Sequence, residues 1–158
     1  MPELCAAVAL AQTERMEELT SLRVSVAKQY NEISEIFPGV MTPQKNYEGS
    51  ENAYWTWVCK LRGDIDWDEF RSFFIKSGGD PFYGAWALTY DEPFITNLHF
   101  HGRDVFLTEN SRLNFKSPNC PNADKIQGRL CQFKTNYYSE SEVRRQCSAL
   151  EKTLQRFK

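Results

Sequence analysis

Residues 53–79 read AYWTWVCKLRGDIDWDEFRSFFIKSGG, and this stretch joins a strand-like pattern to a helix-like pattern. Residues 53–61 are rich in aromatic and β-branched side chains, which is the composition of a β-strand. The following segment repeats aromatic residues at helical spacing, at Trp67, Phe70, Phe73 and Phe74. Asp64 or Asp66 can cap this helix, and Gly78-Gly79 ends it. The stretch therefore predicts a strand followed by a helix.

Amphipathic helices are predicted at both ends of the chain. Near the N-terminus, apolar residues recur in steps of three and four, at Met16, Leu19, Leu22, Val26, Tyr30, Ile33 and Phe37. We expect a bend near Gln12-Thr13, where Thr13 can cap a new helix, and an end at Pro38-Gly39. Ser139 opens the last helix, and Glu142 completes a Ser-x-x-Glu capping box.

The order of these elements predicts an α+β fold, or a small α/β sandwich. A long N-terminal helix and a C-terminal helix flank a small sheet that contains strand 53–61. A short helix over 122–130 and a short strand over 131–134 complete the prediction. Residues 41–52 are polar and loop-like, and residues 80–121 mix Gly, Pro, Asn and aromatic residues without a clear period. Such a long irregular stretch is usually functional or packed on a partner.

Size and charge restrict the classes of function. The 158 residues suit one domain, and the net charge of −2 comes without a basic run, so nucleic acid is not an expected partner. The N-terminus lacks the basic region of a secretory signal, and no window approaches 18 apolar residues, so we expect no membrane partner. Five cysteines without a Cys-x-x-Cys pair are typical of reduced thiols, which favours a cytoplasmic protein.

Local motifs give weak candidates for chemistry. On a strand, the pair His99-x-His101 would face one side and could hold a metal, but the spacing supplies no third ligand. Cys120 could form a nucleophile pair with either histidine, although only a following helix N-terminus would lower the pKa of its thiol. The pattern Ser25-x-x-Lys28 lies in mid-helix and lacks the further motifs of penicillin-recognising enzymes.

Three longer segments carry a resemblance to a known family. They are MPELCAAVALAQTERMEELTSLR at 1–23, GGDPFYGAWALTYDEP at 78–93, and NCPNADKIQGRLCQFKTNYYSESEVRRQCSALEKTLQRF at 119–157. Together with the long helix and the strand AYWTWV, they resemble in order the C-terminal small domain of DegT/StrS-type sugar aminotransferases. These are enzymes that depend on pyridoxal phosphate (PLP). The resemblance covers essentially the whole chain.

This resemblance implies that the chain, 1–158, is a single small domain without the large PLP-binding domain. The complete enzyme would move an amino group from glutamate or glutamine to a keto sugar, nucleotide-linked or related. Its Schiff-base lysine is expected upstream in a Ser/Gly-rich segment, and no lysine of this chain lies in such a segment. We therefore expect no catalytic residue in this chain, no covalently bound PLP and no activity of the chain alone.

The implied partners are the missing PLP-binding domain or a second aminotransferase subunit, the keto-sugar substrate, and further copies in a homo-oligomer, such as a dimer. One alternative is a non-catalytic assembly or binding module that completes another chain's active site. A second alternative is an unrelated hydrolase that uses Cys120 and a histidine. In any assembly, Leu4, Val8 and Leu10 on the first helix are expected to expose apolar surface that another chain covers.

Substrate contacts are expected in the loop 80–90. Tyr83, Trp86 and Tyr90 combine a ring that can stack on a sugar with a polar tip that can hydrogen-bond a hydroxyl. The resemblance implies the same, because the matching family loop faces the substrate. Lys134 and Asn136 are weaker candidates for an anionic group of the substrate. The competing interpretation is that the aromatic residues of this loop fill the core beside Trp55 and Trp57.

The absence of a lysine segment generates a direct prediction. When PLP is added to the chain and reduced with borohydride, no single lysine should be labelled stoichiometrically. Mass-spectrometric mapping of modified lysines and the aldimine absorption band provide the measurement. Stoichiometric labelling of one lysine together with an aldimine band would contradict the prediction.

Overall fold

The computed structural model describes residues 2–93, 99–100, 103–104 and 120–158. The described helices are α1 (Glu3–Glu14), α2 (Met16–Ile36), α3 (Trp67–Lys76), α4 (Pro121–Gln127) and α5 (Glu140–Arg156). The described strands are β1 (Met41–Pro43), β2 (Thr56–Leu61), β3 (His99–Phe100), β4 (Arg103–Asp104) and β5 (Leu130–Lys134). This α+β arrangement confirms the predicted fold class.

An antiparallel sheet with the strand order β1-β2-β5 forms the centre of the molecule. Trp57 lies opposite Phe133, and Cys59 lies opposite Cys131. Side chains alternate between the two faces of a strand, and in β2 the residues Trp57, Cys59 and Leu61 are buried while their neighbours are only half-buried. The sheet therefore has an inner face toward the core and a more open outer face.

Aromatic rings fill the core between the inner face and the helices. The Phe82 and Phe133 rings stack with centroids 4.4 Å apart, and Phe74 meets Phe133 edge-on at 5.2 Å. The helices α2, α3 and α5 add buried residues to the same cluster, including Tyr30, Phe70 and Leu150. The buried side predicted for α3 is confirmed at Phe70 and Phe74, whereas Trp67 and Phe73 are half-buried.

Side-chain caps set the ends of two helices as predicted. Asp66, not Asp64, accepts a hydrogen bond from the backbone N–H of Glu69 at 2.7 Å and so caps α3. Ser139 and Glu142 form the complete capping box of α5. Each cap satisfies N–H groups that a first helical turn leaves without an intrahelical partner.

The N-terminal helix differs from its prediction. It breaks at Arg15 into α1 and α2, rather than bending at a Thr13 cap. The Thr13 hydroxyl donates instead to the carbonyl of Ala9 at 2.8 Å, so it serves the end of α1 and not the start of α2. The apolar stripe is also buried only in its second half, since Val26 and Tyr30 are buried while Met16 is exposed.

Two further boundaries were wrong. Residues 41–43 form the edge strand β1 rather than a loop, because their backbone pairs with β2 through Met41 opposite Leu61. The strand predicted over 53–61 begins only at Thr56, because Tyr54 has a left-handed backbone with φ of 48°.

In the parts of the chain that the structure describes, no helix is both long enough and apolar enough to cross a bilayer.

Helix α1 has no buried residue. Its large apolar side chains, Leu4, Val8 and Leu10, are all exposed, which agrees with the expectation from the sequence. Within the described residues, therefore, little of the apolar surface of α1 is covered by the rest of this chain.

We expect the double variant Leu4→Gln, Val8→Gln to reduce self-association, because it removes exposed apolar surface. The free energy of unfolding should change by less than about 0.5 kcal/mol, since surface substitutions rarely do more. Sedimentation velocity and urea unfolding provide the measurements. Leu150→Ala is the contrast, because that side chain is fully buried and its loss should cost about 2–5 kcal/mol. Association unchanged in the double variant would show that another surface drives it.

Candidate functional site

A cavity of about 620 Å³ opens over the outer face of the sheet, where β2 and β5 meet the loop after α3. Three aromatic side chains line it: Trp55, Tyr83 and Trp86. Five polar side chains also line it: Arg23, Thr56, Gln132, Lys134 and Asn136. Four of the five side chains predicted to bind substrate, Tyr83, Trp86, Lys134 and Asn136, are thus brought together around one space.

The aromatic rings of the cavity are strongly exposed. The exposed fractions are 84% for Trp86, 77% for Trp55 and 64% for Tyr83, whereas Trp57 is fully buried. The interpretation that the loop aromatics fill the core is therefore wrong for Tyr83 and Trp86. The core position beside Phe133 is taken by Phe82 of the same loop.

The cavity is positively charged. Its lining includes the cations Arg23 and Lys134, and no carboxylate is among the lining residues that the structure describes. Charged groups around a partly enclosed space attract ions of opposite sign. The combination of rings and cations suits a ligand that carries both a ring and a negative charge.

Asp80 anchors the start of the loop. Its carboxylate accepts two hydrogen bonds from Arg145, both at 3.0 Å, and one from the Tyr137 hydroxyl at 3.1 Å. Its backbone N–H donates to Gln146 at 2.9 Å. Burial alone would raise the pKa of Asp80, but the hydrogen bonds from Arg145 and Tyr137 outweigh burial and hold that pKa below its usual value.

The loop then follows the edge of β5. The backbone of Tyr83 exchanges two hydrogen bonds with that of Gln132, at 3.2 and 2.7 Å. The Gln132 side chain also donates to the Gly84 carbonyl at 2.6 Å. At the loop entry, a Cβ atom on Gly79 would lie 2.2 Å from the Phe74 ring, so only glycine fits there. These contacts hold Tyr83 and Trp86 at the cavity.

Tyr90 is the predicted site residue that the structure does not bring to the cavity. Its hydroxyl donates to the Asp124 carboxylate of α4 at 2.6 Å, and this hydrogen bond raises the pKa of Tyr90. Gln127, also in α4, donates to the Trp86 carbonyl at 2.7 Å. In this structure Tyr90 therefore fastens the loop to α4 rather than lining the cavity.

Sequence reasoning missed Arg23, Trp55 and Gln132. Trp55 and Trp57 are two residues apart and would share one face of a strand, so both were assigned to the sheet. Because β2 begins at Thr56, Trp55 lies outside the strand and is free to line the cavity. The signal for Gln132 was present, since it alternates with the buried residues Cys131 and Phe133 of β5.

PLP needs an acidic partner for its pyridine nitrogen and a lysine for its aldehyde. Lys134 lines the cavity, but the described lining holds no Asp or Glu, so these residues do not fit the cofactor. Metal binding also finds no support in the described ranges, where no group of three or more His, Cys, Asp or Glu forms. His101 and the side chain of His99 lie outside the described residues. The predicted pairing of either histidine with Cys120 therefore also falls outside the described part of the chain.

Comparisons with known proteins identify the fold. Sugar aminotransferase CalS13 from Micromonospora echinospora is 15% identical, with a TM-score of 0.64 and a match that covers 90% of this chain and 33% of that chain. Aminotransferase TlmJ from Streptoalloteichus hindustanus is 14% identical, with a TM-score of 0.66 and coverage of 96% and 36%. Spr1654 from Streptococcus pneumoniae, described as a sugar aminotransferase in its PLP form, is 15% identical, with a TM-score of 0.65 and coverage of 100% and 37%.

The chain thus spans about a third of the length of these aminotransferases. At this level of identity the likeness establishes a shared fold, which confirms the structural side of the resemblance found in the sequence. No protein-family model and no curated protein sequence matches the chain.

The anchor at Asp80 generates a prediction about stability. Asp80→Asn should lower the free energy of unfolding by about 1 kcal/mol at pH 7. The expected loss is this small because the ion pair with Arg145 is partly exposed and therefore screened by water. The folded-state pKa of Asp80 is lowered, so its contribution is complete above the ordinary Asp pKa of about 3.9 and is lost as the pH falls through the folded value. The advantage of the parent over the variant should therefore shrink below about pH 4.

Urea unfolding at pH 7 and pH 3 measures this difference. Asp64→Asn is the matched control, because Asp64 pairs with Arg62 on the exposed surface and should shift the unfolding midpoint less. An advantage of Asp80 that persists undiminished at pH 3 would contradict the assignment.

Proposed function

We propose that this chain is the C-terminal portion of a PLP-dependent aminotransferase that acts on a keto sugar, nucleotide-linked or related, with glutamate or glutamine as amino donor. The observation that carries the proposal is the cavity, in which exposed rings and two cations meet on a fold shared with sugar aminotransferases. The DegT/StrS family and a dimeric or larger homo-oligomer are part of the same proposal.

In this proposal the chain supplies substrate contacts and another segment supplies the cofactor site. Bound PLP would provide the electron sink for amino transfer. Since the described cavity does not fit PLP, we assign the cofactor to a PLP-binding portion outside these 158 residues, which span only about a third of the aminotransferases that share the fold. The 158-residue chain would then be a single domain that is inactive by itself.

The residues of this chain would bind and orient the sugar. Tyr83 and Trp86 offer ring faces that stack on the C–H face of a sugar, and the tips of these side chains can hydrogen-bond its hydroxyls. Lys134 lies across the same space and would pair with an anionic group of the substrate, while Asn136 would hydrogen-bond it. Tyr90 would contribute through the loop, because it holds α4 in this structure.

A second candidate is a non-catalytic assembly module that completes the active site of another chain. The observation that favours it is α1, which has no buried residue and exposes Leu4, Val8 and Leu10. A helix of this kind suits a contact with a second chain. Both candidates place the same cavity at a shared active site, and they differ in whether the PLP-binding portion belongs to the same polypeptide.

The test is to determine the coding sequence upstream of this chain, rebuild the enzyme with any PLP-binding portion found there, and assay transamination. Activity of the joined polypeptide supports the first candidate. Activity only after mixing with a separately encoded PLP-binding protein supports the second. Transamination by the 158-residue chain alone would contradict both.

In the active assembly, Tyr83→Ala and Trp86→Ala should each raise the KM for the sugar roughly 3–10-fold, which corresponds to losing one stacking contact. PLP binding and thermal stability should be retained, because both rings are exposed. Tyr138→Ala is the matched control, since Tyr138 is about as exposed as Tyr83 but does not line the cavity. Lost stability with an unchanged KM would instead make the two residues structural.

A further inference from the structure

The ladder between β2 and β5 ends at the pair Thr56–Lys134, beside the cavity. Before Thr56 the backbone carbonyls have no strand partner in this ladder, so they need other donors. The hydroxyl of Thr135 donates to the Tyr54 carbonyl at 2.6 Å, with the Trp55 carbonyl 3.3 Å away. The Arg23 guanidinium donates to the Trp55 carbonyl at 3.1 Å. The side chains of Thr135 and Arg23 therefore donate the hydrogen bonds that a neighbouring strand would otherwise supply.

The backbone that they hold is strained. Tyr54 is the only described residue other than glycine with a positive φ, at 48°, a conformation that large side chains rarely adopt. Such a conformation persists when surrounding contacts impose it. The turn buries the Tyr54 ring, whose hydroxyl hydrogen-bonds Asn46, and leaves the next side chain, Trp55, exposed in the cavity.

We propose that Trp55 is a ligand-contacting side chain of the cavity, and that Thr135 and Arg23 are positioning residues that hold its indole there through the Tyr54–Trp55 backbone. Thr135 is fully buried and does not line the cavity, so it acts only through this backbone. The inference deepens the proposed function, on which it rests for the identity of the ligand, but the position of the indole can be tested without that function.

The first experiment follows the indole itself. The four tryptophans are Trp55, Trp57, Trp67 and Trp86, so Trp86→Phe leaves Trp55 as the most exposed one. Near Arg23 and Lys134, the ratio of iodide to caesium quenching of its fluorescence should exceed the ratio for free tryptophan amide at equal ionic strength, and this excess is the preference for iodide. Adding Trp55→Phe should abolish this preference and so assign the signal.

In the Trp86→Phe background, Thr135→Val should lose the preference for iodide, and Thr135→Ser should keep it, because serine retains the hydroxyl. Arg23→Lys keeps the charge but not the planar guanidinium and should lose part of the preference. Thr153→Val is the matched control, since it also removes a buried hydroxyl, one that donates within α5 to the Ala149 carbonyl. An unchanged preference in Thr135→Val, or an equal loss in Thr153→Val, would overturn the positioning role.

The second experiment tests ligand contact with 4-nitrophenyl phosphate as the probe, because it joins a quenching ring to an anion. It should quench Trp55 saturably in the Trp86→Phe chain and more weakly in Thr135→Val, with Thr135→Ser restoring the parent behaviour. Quenching that rises linearly, as for free tryptophan amide, would overturn the contact. If the rebuilt enzyme fails to transaminate while both experiments succeed, the proposed function fails and this inference stands.

Discussion

The antiparallel pairing of β2 with β5 is the contact on which both the core and the cavity depend. Its register places Trp57 opposite Phe133 on the inner face, where the rings meet edge-on at 5.5 Å. The same register places Thr56 opposite Lys134 on the outer face, where both line the cavity. Because side chains alternate along a strand, a shift of one residue would exchange the two faces. Core packing therefore fixes the floor of the cavity.

The loop after α3 depends on this pairing in turn. Phe82 stacks on Phe133 from the core side, and Tyr83 pairs with Gln132 along the edge of β5. Of these two adjacent residues, Phe82 is thus buried in the core and Tyr83 is exposed. The anchor of Asp80 on Arg145 adds a link to α5, so the loop is held from the core, the sheet edge and a helix. A loop held in this way on rigid elements can keep its side chains oriented.

The elements with a strong local signal could be predicted from the sequence, and those set by tertiary contacts could not. Asp66 and Ser139 are typical N-cap residues, so the sequence itself indicates the helix starts, and the structure has both caps. The edge strand β1 has no such signal, since its pairing with β2 is a non-local choice. Likewise, composition alone placed Trp55 in the strand, but strand pairing ends one residue later, at Thr56, and this shift turns an expected core residue into a cavity residue.

Charge and exposed rings together make the cavity suited to a ring-bearing anion. The chain carries a net charge of −2, yet the described lining of the cavity holds two cations and no carboxylate. Neither cation is neutralised by a carboxylate of that lining, and Arg23 also donates a hydrogen bond to the Trp55 carbonyl. Exposed rings beside unneutralised cations leave apolar surface uncovered and charge unpaired, and both terms improve when a ring-bearing anion enters. The packing of Phe82, rather than charge, explains why the exposed aromatic residues of the loop are not part of the core. Phe82 already fills the space against Phe133, so Tyr83 and Trp86 remain at the surface, where a ligand or a second chain can cover them.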